Sequence, residues 1–319
     1  MSLAGADNDG MRSLGTTELS VFPLSLGANV FGWTADKETS FAILDAYVAG
    51  GGNFIDTADV YPAWETGEST SETIIGEWLA ARGNRESIVL ATKVGMLEGL
   101  RGLAPATIRT AVEGSLRRLR TDYIDLYWAH VDDQDTPLAE SLAAFDALVR
   151  EGKVRHVGAS NYGAARLAEA LAISDAEGLA RYVALQQPYN LVERAYEGEL
   201  RDVVAGEGLA GTPYFGLARG FLTGKYAPGV QVDSPRAGKA SAYLATAHGP
   251  RTLEALGKVA AGRDVAPATV ALAWVAAQPT ITATIASARN VEQLETLMQA
   301  ASLRLGAGEL ALLDQASRP

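Results

Sequence analysis

The strongest limit on how this chain can fold is a strand, loop and helix unit that recurs about every 30 residues. Short apolar, β-branched stretches suited to buried strands fall at residues 23–27, 53–56, 87–93, 123–130, 153–160, 183–187, 211–215 and 281–286. Amphipathic helical patterns occupy 37–49, 70–82, 105–119, 137–151, 164–177 and 197–206. The punctuation agrees with this division: Gly50-Gly51-Gly52, Gly83-Asn84 and Gly152 stand where helices should stop, and Pro105 where one should start. After a long connection at 219–249, helices are predicted at 251–261 and 267–277, and two more from Val291 and Ala307. Residues 11–23 read as a hairpin ahead of the first strand, residues 1–10 as a disordered leader, and 11–319 as one domain.

Eight strands alternating with helices predict a (β/α)8 barrel, and 319 residues suit one such unit. The competing α/β architecture is an open doubly wound sheet holding a dinucleotide at a GxGxxG turn. Gly206-Glu207-Gly208-Leu209-Ala210-Gly211 matches that pattern formally, but it follows a helix and precedes a strand, which is the reverse of the required order.

A net charge of -11 excludes a nucleic-acid or anionic-membrane binder of the usual basic kind, so an anionic ligand would need a local basic pocket. The chain contains no cysteine, and His130, His156 and His248 are too scattered to suggest a metal centre. His156 reads as a packing or surface residue. No basic region followed by an apolar run opens the chain, and no stretch is long and apolar enough to span a membrane, so a cytoplasmic protein is expected. Nothing in the sequence specifies an oligomeric state.

In a barrel the carboxyl ends of all the strands meet on one face. Asp56, Lys93 and His130 take that position on the second, third and fourth strands, and Tyr61 follows in the loop after Asp56. Paired with Asp56, the ammonium of Lys93 should favour the phenolate and lower the pKa of Tyr61, while His130 can orient a carbonyl. Such a set suits protonation of a developing alkoxide. Because no side chain donates hydride, a nicotinamide is required.

Four blocks resemble the aldo-keto reductases, in order and over residues 14–313: GGNFIDTADVY at 51–61, LATK at 90–93, DLYWAH at 125–130, and GKVRHVGASNY at 152–162. The resemblance implies a TIM barrel that binds NADPH in extended form and reduces a small carbonyl compound. Tyr61 would be the general acid, Lys93 and Asp56 its tuning pair, and His130 the carbonyl-orienting group. Cofactor contacts are implied at Ala28 and Asn29 after the first strand, and at Ser160, Asn161 and Gln186, which match positions that hold the carboxamide. Tyr214 matches the aromatic residue that stacks on the nicotinamide. The segment carrying Phe215, Gly216, Leu217, Arg219 and Gly220, and continuing through Thr223 and Lys225 to Tyr226, resembles a pyrophosphate strap. Ser287, Arg289 and Gln293 match the adenosine end, where the hydroxyl and guanidinium before a helix suit a 2'-phosphate. Phe31, Trp33, Trp64 and Trp128 are expected to line the substrate pocket. Two departures stand out: Leu297 replaces an asparagine often found facing adenine, and the loop after Tyr61 is longer than usual. A cofactor-sensing subunit with little turnover, and a metal- or phosphate-dependent lyase or isomerase, are the alternative readings.

Overall fold

The computed structural model describes residues 10–227, 229–233 and 236–318. The leader assigned to residues 1–10 therefore falls, apart from Gly10, outside the described residues. Two short antiparallel strands, β1 (Arg12–Ser13) and β2 (Ser20–Val21), form the expected hairpin. Eight parallel strands follow: β3 (Leu24–Gly27), β4 (Phe54–Asp56), β5 (Val89–Val94), β6 (Ile124–Ala129), β7 (Val154–Ser160), β8 (Tyr182–Gln186), β9 (Ala210–Gly211) and β10 (Thr284–Ala286). Their order is β10-β3-β4-β5-β6-β7-β8-β9. The ends of the sheet meet: the Gly211 amide donates to Thr280 O and the Thr282 amide to Gly211 O, both at 2.8 Å, and the Ile285 amide donates to Pro213 O at 2.9 Å. The fold is the (β/α)8 barrel that the repeat predicts.

Around the sheet run α1 (Lys37–Ala49), α2 (Ala63–Thr66), α3 (Thr70–Arg82), α4 (Pro105–Leu119), α5 (Leu138–Arg150), α6 (Ala164–Glu177), α7 (Glu199–Gly206), α8 (Ala237–Ser241), α9 (Gly249–Arg263), α10 (Pro267–Ala276), α11 (Val291–Met298) and α12 (Ala307–Ser317). Local chemistry sets their ends. Asp36 caps α1 by accepting from the Thr39 amide at 2.9 Å, Pro105 opens α4, and Gly83 ends α3 at φ 61°. In α4 the buried Ile108, Val112, Leu116 and Leu119 recur at helical spacing, so one face packs inward. Among the described residues no single helix is long and apolar enough to cross a membrane.

The barrel interior positions the site. Side chains alternate along each strand, so Phe54 shares the inward face with Asp56, Ala91 with Lys93, Trp128 with His130, and Ala184 with Gln186. The first member of each pair joins Leu14, Leu19 and Val21 of the hairpin segment in one buried apolar cluster. The second member stands one layer higher and is polar. Each strand thus rises from an apolar floor to a polar mouth. The Arg12 guanidinium holds the hairpin in place by donating to Ala276 O and Ile281 O, both at 3.1 Å.

Three expectations change in detail. β9 stops at Gly211 instead of reaching residue 215, since Pro213 has no N–H to continue the ladder. β10 begins at Thr284 because residues 280–282 are engaged in closing the barrel against Gly211. The 219–249 connection carries α8 and 3-10 turns at Ala218–Thr223 and Ala242–Ala245, none of which has a periodic sequence signal.

Candidate active site

At the mouth, Lys93 is fully buried and its Nζ donates to Asp56 Oδ2 at 2.5 Å and to Thr57 O at 2.6 Å. The other oxygen of Asp56 accepts from Gln186 Nε2 at 3.0 Å. Lys93 Nζ lies 4.7 Å from the centre of the Tyr61 ring, and the rings of Tyr61 and His130 are 5.9 Å apart. The four sequence-predicted residues are therefore brought together.

Burial raises the pKa of the Tyr61 phenol above its ordinary value, and the pull of Lys93 offsets this only in part. This corrects the expectation of a lowered pKa: the ammonium acts in the foreseen direction, but desolvation, with a contribution from Asp56, outweighs it. Burial also opposes the charge of Lys93, yet the neighbouring Asp56 and Tyr61 raise its pKa overall, so it stays an ammonium. His130 is driven well below the usual imidazole value by burial and by Lys93. It is neutral at physiological pH, and its Nδ1 is buried with no hydrogen-bond partner among the described residues.

Asp56, Tyr61 and His130 border a cavity of 770 Å³. Asn29, Ser160, Asn161, Gln186, Tyr214, Phe215, Gly216, Leu217, Arg219, Gly220, Ser287, Arg289 and Gln293 all line it, as do Trp33 and Trp64. Tyr214 donates its hydroxyl to Asn161 Oδ1 at 2.8 Å, and Asn161 Nδ2 donates to His130 O at 2.9 Å, which ties the aromatic wall to the catalytic strand. Ser287 donates to Asn29 Oδ1 at 2.6 Å. That contact depends on a glycine, because a Cβ on Gly27 would lie 2.7 Å from Ser287 Oγ. The loop after β9 holds Phe215, Ala218 and Arg219 at φ 58°, 47° and 59°. For residues with side chains this left-handed region costs about 1–2 kcal/mol each, which surrounding contacts must offset. Asn190 Nδ2 donates to Phe215 O at 2.9 Å, and Arg219 donates to Glu193 at 2.8 Å and to the Tyr243 hydroxyl at 2.6 Å.

Residues 23–318 match the model of the Aldo/keto reductase family. The chain belongs to this family. It is 36% identical over 310 residues to an uncharacterized oxidoreductase, YrpG, of Bacillus subtilis, with 94% of each chain covered. It is 34% identical to protein tas of Escherichia coli, over 93% of this chain and 94% of that one. Norsolorinic acid reductase stcV of Emericella nidulans is 35% identical over 92% of this chain and 77% of its own length.

Four of the sequence-predicted residues do not line the cavity of this aldo/keto reductase. Ala28 is fully buried and does its work through its backbone: the amide donates to Asp56 O and the carbonyl accepts from the Ser71 hydroxyl, both at 2.8 Å. Phe31 is fully buried in the core between sheet and helices, its amide bonded to Ala28 O at 3.1 Å. Trp128 belongs to the floor, its ring filling the space over Gly158, where a Cβ would lie 2.4 Å from it. Lys93 also stands back from the cavity surface, behind Asp56.

Thr223 and Lys225 of the expected strap line the cavity, and the sequence reading missed Arg236, Lys239 and Met96, which line it too. Lys225, Lys239 and Arg289 have no carboxylate partner among the described residues, in a chain of net charge -11. Burial and the charge of Arg289 both pull the pKa of Lys225 down. The available signal was a cluster of four cations, Arg219, Lys225, Arg236 and Lys239, within the aperiodic 219–249 connection of an acidic chain.

Proposed function

We propose that this aldo/keto reductase, acting as one domain over residues 11–319, reduces an aldehyde or ketone to the alcohol with NADPH. The observation that carries this reading is that a phenol, a carboxylate and an imidazole line one 770 Å³ cavity, with a buried ammonium directly behind the carboxylate, together with three cations that have no carboxylate partner among the described residues. The family generally uses a nicotinamide cofactor, and the residues present fit one. Lys225, Lys239 and Arg289 suit the phosphates, Ser160, Asn161 and Gln186 the carboxamide, and Tyr214 the ring face. The strained loop from Phe215 to Gly220 suits the pyrophosphate. Ser287, Arg289 and Gln293 suit the adenosine end, with Arg289 selecting NADPH over NADH.

When bound, NADPH supplies the hydride for the carbonyl carbon. Tyr61 gives its phenolic proton to the carbonyl oxygen as charge develops there, and its raised pKa keeps that proton in place until then. Lys93 stabilises the phenolate left behind, and Asp56 keeps Lys93 charged and in position. Neutral His130 donates a ring N–H to the same oxygen, adding electrostatic stabilisation. Trp33 and Trp64, 6.5 Å apart and edge to face, form a wall suited to apolar or aromatic carbonyls, and the names of the norsolorinic acid reductases support the reductive direction.

The test follows NADPH consumption by its own absorbance against a panel of aldehydes. Tyr61→Phe should lose on the order of 10²–10⁴-fold in kcat with NADPH affinity retained. Full turnover in that variant would remove Tyr61 as the acid, and tight NADPH binding by the unaltered chain with no consumption would favour the sensing role.

A further inference from the structure

The loop between Asp56 and Tyr61 carries a second carboxyl, Asp59, that none of the steps above uses. It is fully buried, does not line the cavity, and neither of its oxygens has a hydrogen-bond partner among the described residues. Its backbone is fixed: the amide donates to Lys93 O at 3.3 Å and the carbonyl accepts from the Ser69 hydroxyl. The elements packed around it each bring a charged or titratable group, namely Glu72 on α3, Lys93 on β5, Arg118 on α4 and Tyr127 on β6.

Both nearby cations are already committed. Glu72, fully buried, takes Arg118 Nε at 2.7 Å and the Thr92 hydroxyl at 2.6 Å, while Lys93 is held by Asp56 at 2.5 Å. Tyr127 offers a buried hydroxyl that also lacks a partner. An Asp59 carboxylate would be an unpaired buried charge beside the carboxylate of Glu72, which is costly on both counts.

We propose that Asp59 is held as the neutral acid and is a positioning residue: while neutral it leaves the charge of Lys93 to act on Tyr61, and when ionised it weakens that action. Its pKa is pushed up to about 8, first by burial and then by Glu72, against the opposing pulls of Arg118 and Lys93. Ionisation would place a second carboxylate near Lys93 and disfavour the phenolate that Tyr61 becomes. The mechanistic half rests on the assignment of Tyr61 as proton donor given above.

The folded chain keeps on Asp59 a proton that the unfolded chain releases in the ordinary carboxylate range. Stability from this group is therefore full at acid pH and declines as pH rises toward 8. Asp59→Asn, neutral and of the same shape, removes that decline, so its melting temperature should gain on the unaltered chain steadily from pH 6 to 8. In the pH profile of kcat, the unaltered chain should lose up to about tenfold between pH 7 and 9, and Asp59→Asn less than about twofold. Glu72→Gln removes the like charge and should move the alkaline limb to lower pH. A melting-temperature gap that does not change with pH, or an alkaline limb that persists in Asp59→Asn, overturns the proposal. Failure of the functional reading is separate: it shows as no NADPH binding by the unaltered chain, and the melting comparison, which needs no cofactor, still decides whether Asp59 holds its proton.

Discussion

The two ends of this barrel are built from the same strands and treat charge in opposite ways. At the floor, Arg85, Arg155 and Arg12 all have partners. Asp125 receives Arg85 at 2.7 Å and Arg155 at 2.9 Å, Arg155 also reaches Glu18 at 2.6 Å, and Glu18 lies 3.1 Å from His156. Arg12 is used on backbone carbonyls. At the mouth, Lys225, Lys239 and Arg289 face a cavity with no carboxylate partner among the described residues, the loop backbone is strained, and His130 Nδ1 is left without a partner. These charges at the floor are satisfied internally and so contribute stability, whereas the mouth leaves charges to be satisfied by something that binds.

The sharpest way to break this contrast is at the buried ion pair just behind the mouth. Lys93→Met should lower kcat by a factor on the order of 10³, because the phenolate of Tyr61 loses its counter-charge. It should also cost about 3–5 kcal/mol of stability, since Asp56 is left as a buried charge with Gln186 its remaining side-chain donor. Urea denaturation and single-turnover reduction separate the two effects. Adding Asp56→Asn should restore much of the stability and none of the rate. Recovery of rate in the double variant would show that Lys93 acts only as a structural partner of Asp56.

The floor is probed by Trp128→Ala, one step along the same strand face as His130. A cavity in place of this fully buried ring should cost about 3–5 kcal/mol, with KM for the carbonyl substrate changed little. A stability loss below about 1 kcal/mol with a large rise in KM would return Trp128 to the pocket wall assigned from the sequence.

That misassignment shows what a sequence can carry. Lys93 and His130 were legible because a strand end in a barrel has one functional face, and their side-chain types suit it. Trp128 occupies the same face two residues lower, and sequence spacing fixes the face without fixing the height at which the floor gives way to the mouth. Phe31 and Ala28 follow a strand end as Trp33 and Asn29 do, but the turn buries the first two and exposes the others to the cavity. Arg236 and Lys239 lie in a connection with no periodicity, so only the folded chain shows which surface they join. Tyr61 lines the cavity, but its pKa shifts upward and not downward, because pairwise charge can be read from the residue types but the depth of burial cannot.

The smallest effect compares one cation from each end. Arg289 is exposed, lies at the rim of the cavity, and its backbone amide donates to Gln293 Oε1 at 3.1 Å, while its guanidinium is left toward the opening. Arg155 at the floor is engaged with two carboxylates. Arg289→Leu should weaken NADPH binding about tenfold, leave NADH binding nearly unchanged, and flatten the dependence of NADPH affinity on salt, because an unpaired cation meeting a 2'-phosphate gives a screened, charge-specific gain. Arg155→Leu removes the same formal charge and should change neither cofactor affinity, costing at most about 1 kcal/mol of stability, as expected for a partly exposed ion pair. Equal losses of NADPH affinity in both variants would mean that the overall charge of the chain, not the partnerless cations at the mouth, governs how the cofactor is held.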